Sequence, residues 1–85
     1  MMKIAGVKMN ETKFWKLVES IQTEVRDAVR LETQKVTDEM IELAAKRITE
    51  RKLSLIAGKP IALSNKSWNY WRNIIVPSWF VRELR

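Results

Sequence analysis

Eighty-five residues, 46% hydrophobic and 31% charged, fit one small globular domain rather than a disordered chain. Cys and His both number 0, which excludes disulfides, thiolate or imidazole metal sites and Ser-His-acid catalysis. The net charge of +6 points to anionic partners.

That charge is segregated. Residues 1–50 carry nine basic and nine acidic side chains, whereas 51–85 carry seven basic residues against Glu83 alone. Between Arg51 and Arg82 there is no acidic residue. Such an asymmetry describes a surface field and says nothing of fold. Nucleic acid is the commonest anionic polymer; an acidic protein or a lipid headgroup answers to the same field.

The expected architecture is all-α: a small bundle of two long amphipathic helices plus one or two short C-terminal helices. One domain over 1–85 is expected, with an arm or short strand at 1–10, a long helical region at 11–57 and a basic, Trp-rich helical region at 58–85. No apolar stretch of signal-peptide length follows Met1-Met2-Lys3, because Lys8, Asn10, Glu11 and Lys13 interrupt it. The longest uncharged run of the C-terminal half, Asn73 to Val81, contains Pro77 and falls far short of the roughly 20 residues that span a bilayer. No transmembrane segment is expected, and a cytoplasmic location is the default.

In chain order, Ile4, Val7 and Met9 suit a brief strand. Asn10 is a candidate N-cap, with Glu11 in the first turn where the helix dipole favours an anion. Phe14, Val18, Ile21, Val25 and Ala28 then recur at helical spacing, broadened by Leu17 and Val29. A second pattern runs from about Thr37, its candidate cap, to Ala57. Met40, Ile41, Ala44, Ala45, Ile48 and Leu55 form its apolar face, with Leu43, Leu53 and Ile56 beside it. Gly58 suits the left-handed position after a helix, and Pro60 follows. The link Thr33-Gln34-Lys35-Val36-Thr37 holds neither Gly nor Pro. The apolar rhythm weakens there, which favours two helices, or one kinked helix, over an unbroken helix through 11–57.

In the last third, Ser64 or Asn65 caps a helix running to about Ile75, where Val76-Pro77 stops it. Ser78 is the candidate cap of a final turn. Trp68, Trp71 and Trp79 read as core with Ile74, Ile75 and Phe80; Trp15 reads as partly buried. Tyr70 points away from the Trp68–Trp71 face and is the better candidate for an exposed contact. The segment Leu63-Ser64-Asn65-Lys66-Ser67-Trp68-Asn69-Tyr70-Trp71-Arg72 with Val76-Pro77 resembles the recognition helix of small phage-repressor-like helix-turn-helix proteins. The resemblance implies that Asn65, Lys66, Asn69 and Tyr70 face a major groove. It covers about fifteen residues and departs upstream, where Gly58 and Pro60 fall out of register.

No enzyme site is expected. The carboxylates lie on solvent-facing helix positions, the serines lack an activating base, and two glycines build no phosphate-binding loop. No metal or cofactor is expected. The leading expectation is a nucleic-acid-binding regulator or accessory factor of the phage or plasmid kind, with DNA favoured over RNA. Arg51, Lys52, Lys59, Asn65, Lys66, Asn69, Tyr70, Arg72 and Arg82 are its candidate contacts. The alternative is a protein-binding module, an inhibitor or assembly adaptor, using its aromatic-rich helical surface. A third reading is peripheral membrane attachment through Trp79-Phe80 beside Arg82 and Arg85. Two broad apolar helix faces in so short a chain also suggest a homodimer.

Overall fold

The structure, a computed structural model, describes residues 2–4, 7–30 and 35–85. Two short strands, β1 (Met2–Ile4) and β2 (Val7–Met9), pair antiparallel with Lys3 opposite Lys8. Four helices follow: α1 (Glu11–Arg30), α2 (Asp38–Ala57), α3 (Asn65–Ile75) and α4 (Ser78–Leu84). The architecture is a small helical bundle of two long and two short helices.

Local chemistry sets most helix boundaries. The Lys13 amide donates to Asn10 Oδ1 at 2.8 Å and the Met40 amide to Thr37 Oγ1 at 3.3 Å, satisfying donors that have no partner inside the helix. The Ser67 amide donates to Ser64 Oγ at 3.2 Å, so Ser64, not Asn65, caps α3. At the end of α2, Gly58 takes φ 70° and donates its N–H to the Ser54 carbonyl at 2.9 Å. Glycine holds this left-handed conformation without the Cβ clash that penalises other residues. Ser78 is not a cap. It is the first residue of α4, Pro77 holds the cap position, and no side chain closes that end.

α1 and α2 are separate helices, because Thr37 is extended and begins α2 with its own cap. Thr33 and Gln34 of the expected link lie outside the described residues. The stripe Phe14, Val18, Ile21 and Val25 is buried against α2 and α3, with Leu17 and Val29, while Ala28 is half-buried. The core continues through Ile41, Ala45, Ile48, Leu53, Leu63, Trp68, Trp71, Ile75 and Phe80. Phe14 and Trp71 meet with ring centroids 5.5 Å apart.

Three expectations about burial need correction. On α2 the inward row runs Ile41, Ala45, Ile48, Thr49 and Leu53, so Leu53 is fully buried and Leu55, two positions on, is 77% exposed. Trp79 is half exposed rather than core, while Trp15, expected to be partly buried, is 53% exposed. Pro77 starts α4 in a register that turns Phe80 inward and leaves its neighbour Trp79 outside. Finally, the α1 stripe needs no partner chain, since α2 and the Trp-rich third cover it.

A polar contact locks α3 in place. Val76 leaves the helix and Pro77 lacks an N–H, so carbonyls at the end of α3 lack helical donors. Gln22, buried on α1, donates its Nε2 to the Ile75 carbonyl at 3.0 Å.

Candidate nucleic-acid interface

α3 is an amphipathic helix with a sharp division. Trp68, Trp71 and Ile75 enter the core. Asn65, Lys66, Asn69, Tyr70, Arg72 and Asn73 are all exposed. Asn65, Asn69 and Asn73 recur every four residues and form one row of amides. Lys66 and Tyr70 flank it on one side and Arg72 on the other. The helix contains no carboxylate. Asn73, which is not among the nine candidate contacts, joins this row through its i+4 relation to Asn69.

The chain before α3 is tied to α2. The Ile61 amide donates to Ser54 Oγ at 2.8 Å, and the Leu63 amide to Glu50 Oε2 at 2.8 Å. Further along α3, Arg72 Nη1 lies 3.0 Å from Glu42 Oε1. Glu42 and Glu50 therefore mark the flank of α2 beside α3. Lys46 sits midway between them, four residues from each, and is a flanking cation that composition alone did not single out.

The nine candidate contacts do not form one patch. Five of them, Asn65, Lys66, Asn69, Tyr70 and Arg72, share the outward face of α3. Lys59 is exposed in the segment leading to it, and Arg82 is exposed on α4. Arg51 and Lys52 turn the other way, onto Glu24 of α1; the Lys52 ammonium lies 2.9 Å from its carboxylate.

Folding thus offsets much of the charge segregation. Arg51 and Lys52 meet Glu24, Arg72 meets Glu42, and Arg85 meets Asp38. Each joins a cation of residues 51–85 to an acid of the first half. Glu83, the lone acid of the last third, runs the exchange in reverse by accepting from Arg26 at 2.7 Å. Arg26 also lies over the Phe80 ring, 5.2 Å from its centroid. Lys59, Lys66 and Arg82 have no carboxylate within 4.0 Å among the described residues.

These pairs shift ionisation in the expected directions. The hydrogen bond from Lys52, aided by the charges of Lys52 and Arg51, holds the Glu24 carboxyl below its ordinary range against a desolvation penalty. Arg26 does the same to Glu83, chiefly through its hydrogen bond. The same bond raises the Arg26 guanidinium further.

Among the described residues, no three acidic, His or Cys side chains gather as a metal site, and no helix is long and apolar enough to cross a membrane. No protein-family model matches the chain, and neither curated proteins nor solved structures yield a match.

Proposed function

We propose that the protein binds nucleic acid through the outward face of α3, with DNA favoured over RNA. The observation that carries the reading is a helix face of three Asn, one Lys, one Arg and one Tyr without a carboxylate, on a helix anchored from behind by two buried Trp. Asn side chains can pair bidentately with adenine N6 and N7, and Lys66 reaches guanine or phosphate. An 11-residue helix is about 16 Å long and suits the wide major groove of B-form DNA. The deep, narrow major groove of duplex RNA does not admit it. Lys59 and Arg82 supply phosphate contacts beyond the helix.

The role would be that of a regulator or accessory factor of the phage or plasmid kind, acting in the cytoplasm. The segment between α2 and α3 is longer than the turn of a helix-turn-helix, so the docking is helix-turn-helix-like only in its use of α3. A homodimer would present two such helices to a two-fold site. Its support is the exposed Leu43, Leu55 and Ile56 of α2. Sedimentation equilibrium tests it, and a species near 10 kDa at tens of micromolar rejects it.

The test of binding is fluorescence anisotropy of duplex and single-stranded oligonucleotides over a range of NaCl. Duplex DNA should bind at low salt, with log K falling linearly against log salt. Lys66→Ala should make the slope shallower by about 0.9. Asn69→Ala should reduce discrimination between sequences while leaving the slope unchanged. No binding at low salt rejects the function.

A further inference from the structure

We propose that the target of α3 is a run of adenines on one strand of duplex DNA, read in the major groove by Asn65, Asn69 and Asn73; the inference rests on DNA binding by this face and names its sequence class. The three amides recur every four residues along the outward side of α3. Among the described residues, none of their side chains makes a hydrogen bond to the protein. Asn is a poor helix former, because its short amide competes for backbone groups in other conformations. Asn69 and Asn73, past the first turn, therefore weaken an 11-residue helix and gain nothing inside the fold. A local rule broken without structural return marks a functional position.

The composition of the face selects the base. In the major groove guanine takes a bidentate Arg or Lys, cytosine a carboxylate, and adenine a bidentate Asn or Gln through N6 and N7. α3 carries no carboxylate to accept from cytosine. Its single Arg, Arg72, is held by Glu42 at 3.0 Å, and Lys66 stands beside the amide row rather than in it. The row itself offers adenine chemistry. Tyr70 flanks Asn69 on the side of Lys66, braced edge-on against buried Trp71 with ring centroids 6.3 Å apart. Its ring is an apolar contact for the methyl group of thymine, the partner of each adenine.

Spacing sets the length of the run. A step of four residues advances about 6 Å along the helix, against about 3.4 Å per base pair. Successive amides thus stand about one to two base pairs apart, and the row spans about 12 Å, or about three to four base pairs. An all-adenine strand meets the row at every step, whereas a mixed sequence does so only by coincidence of register. A straight helix leaves the curved groove at its ends, so Asn69, in the middle, comes closest to the bases.

The test is fluorescence anisotropy of the full protein with labelled duplexes of equal length. One carries a central adenine run, one has G·C pairs in its place, one has 7-deaza-adenine in the run and one has 2,6-diaminopurine there. The adenine duplex should bind at least about tenfold more tightly than the G·C duplex, since each bidentate pair discriminates by about fivefold or more. 7-Deaza-adenine lacks the N7 acceptor but keeps the minor-groove edge, and should lose most of that preference. 2,6-Diaminopurine adds an amine in the minor groove only, and should bind as adenine does. Asn69→Ala should cut the preference by about fivefold or more. Ala is the better helix former, so this variant should melt no lower than the parent protein and its loss is not one of folding. Absence of duplex binding at low salt rejects DNA binding by α3 and the target with it. Equal binding of the adenine and G·C duplexes overturns the target alone. Full preference retained with 7-deaza-adenine, or lost with 2,6-diaminopurine, also overturns it, because the narrow minor groove of the run would then be what is read. So does a preference unchanged in Asn69→Ala.

Discussion

Replacing Glu42 by Gln should strengthen DNA binding, because Glu42 competes with phosphate for Arg72. The two side chains meet at 3.0 Å, with 47% and 38% of their surfaces exposed. A pair this open contributes about 0–1 kcal/mol to stability, so Glu42→Gln should fold normally. Removing the carboxylate spares Arg72 that exchange, a gain of up to about fivefold in affinity for about 1 kcal/mol. The freed guanidinium adds one phosphate contact, which should steepen the slope of log K against log salt by about 0.9. Glu24→Gln is the matched control. It raises the net charge equally but releases Arg51 and Lys52 on another flank of α2. Because Arg51 and Lys52 face α1 rather than the outward face of α3, and salt screens their field, that change should register less. Anisotropy titrations of the two variants and the parent protein against one duplex, at several NaCl concentrations, provide the comparison. An unchanged slope in Glu42→Gln, or an equal gain in Glu24→Gln, would refute the placement of DNA on the α3 face.

Other expectations concern stability. Gly58→Ala should cost about 1–2 kcal/mol in urea denaturation, because φ is 70° there, although an added Cβ meets nothing within 4 Å; an unchanged midpoint would contradict the left-handed cap. Trp71→Ala should lose about 3–5 kcal/mol from a fully buried site, whereas Leu55→Ala, at 77% exposure, should stay within about 0.5 kcal/mol by thermal melting. Ser64→Ala should cost about 1 kcal/mol and lower the Tm by about 4–8 °C. Acid should destabilise the protein through Glu24 and Glu83. Their folded carboxyls titrate below the ordinary 4.5, so the stabilisation they add is full above that value and is lost as pH falls toward their folded values. Glu83→Gln should flatten the drop in Tm below about pH 4.5, and an identical pH profile would remove Arg26–Glu83 from the account.

Much of the fold was legible because its determinants are local. Asn10, Thr37 and Ser64 cap helices through hydrogen bonds to amides three residues away, and Gly58 ends α2 through its own φ. The apolar rows of α1 and α3 follow from helical spacing alone. The outward face of α3 was equally legible, since Trp68 and Trp71 mark the buried side and leave Asn65, Lys66, Asn69 and Tyr70 opposite. Gln22 was not. Nothing near it in sequence reveals that a carbonyl more than fifty residues on needs its amide.

The tertiary structure decided what depends on which helix lies beside which. In α2, Leu53 and Leu55 are both compatible with a broad apolar face, and only the packing of α2 against the rest of the fold buries Leu53 and leaves Leu55 outside. Trp79 and Phe80 are adjacent and comparably apolar, yet the turn at Pro77 sends one inward and the other out. The basic excess of residues 51–85 is a property of the chain, but its field is a property of the fold. Coulomb energy depends on separation in space, and folding brings Arg51, Lys52, Arg72 and Arg85 against acids that stand far away in sequence.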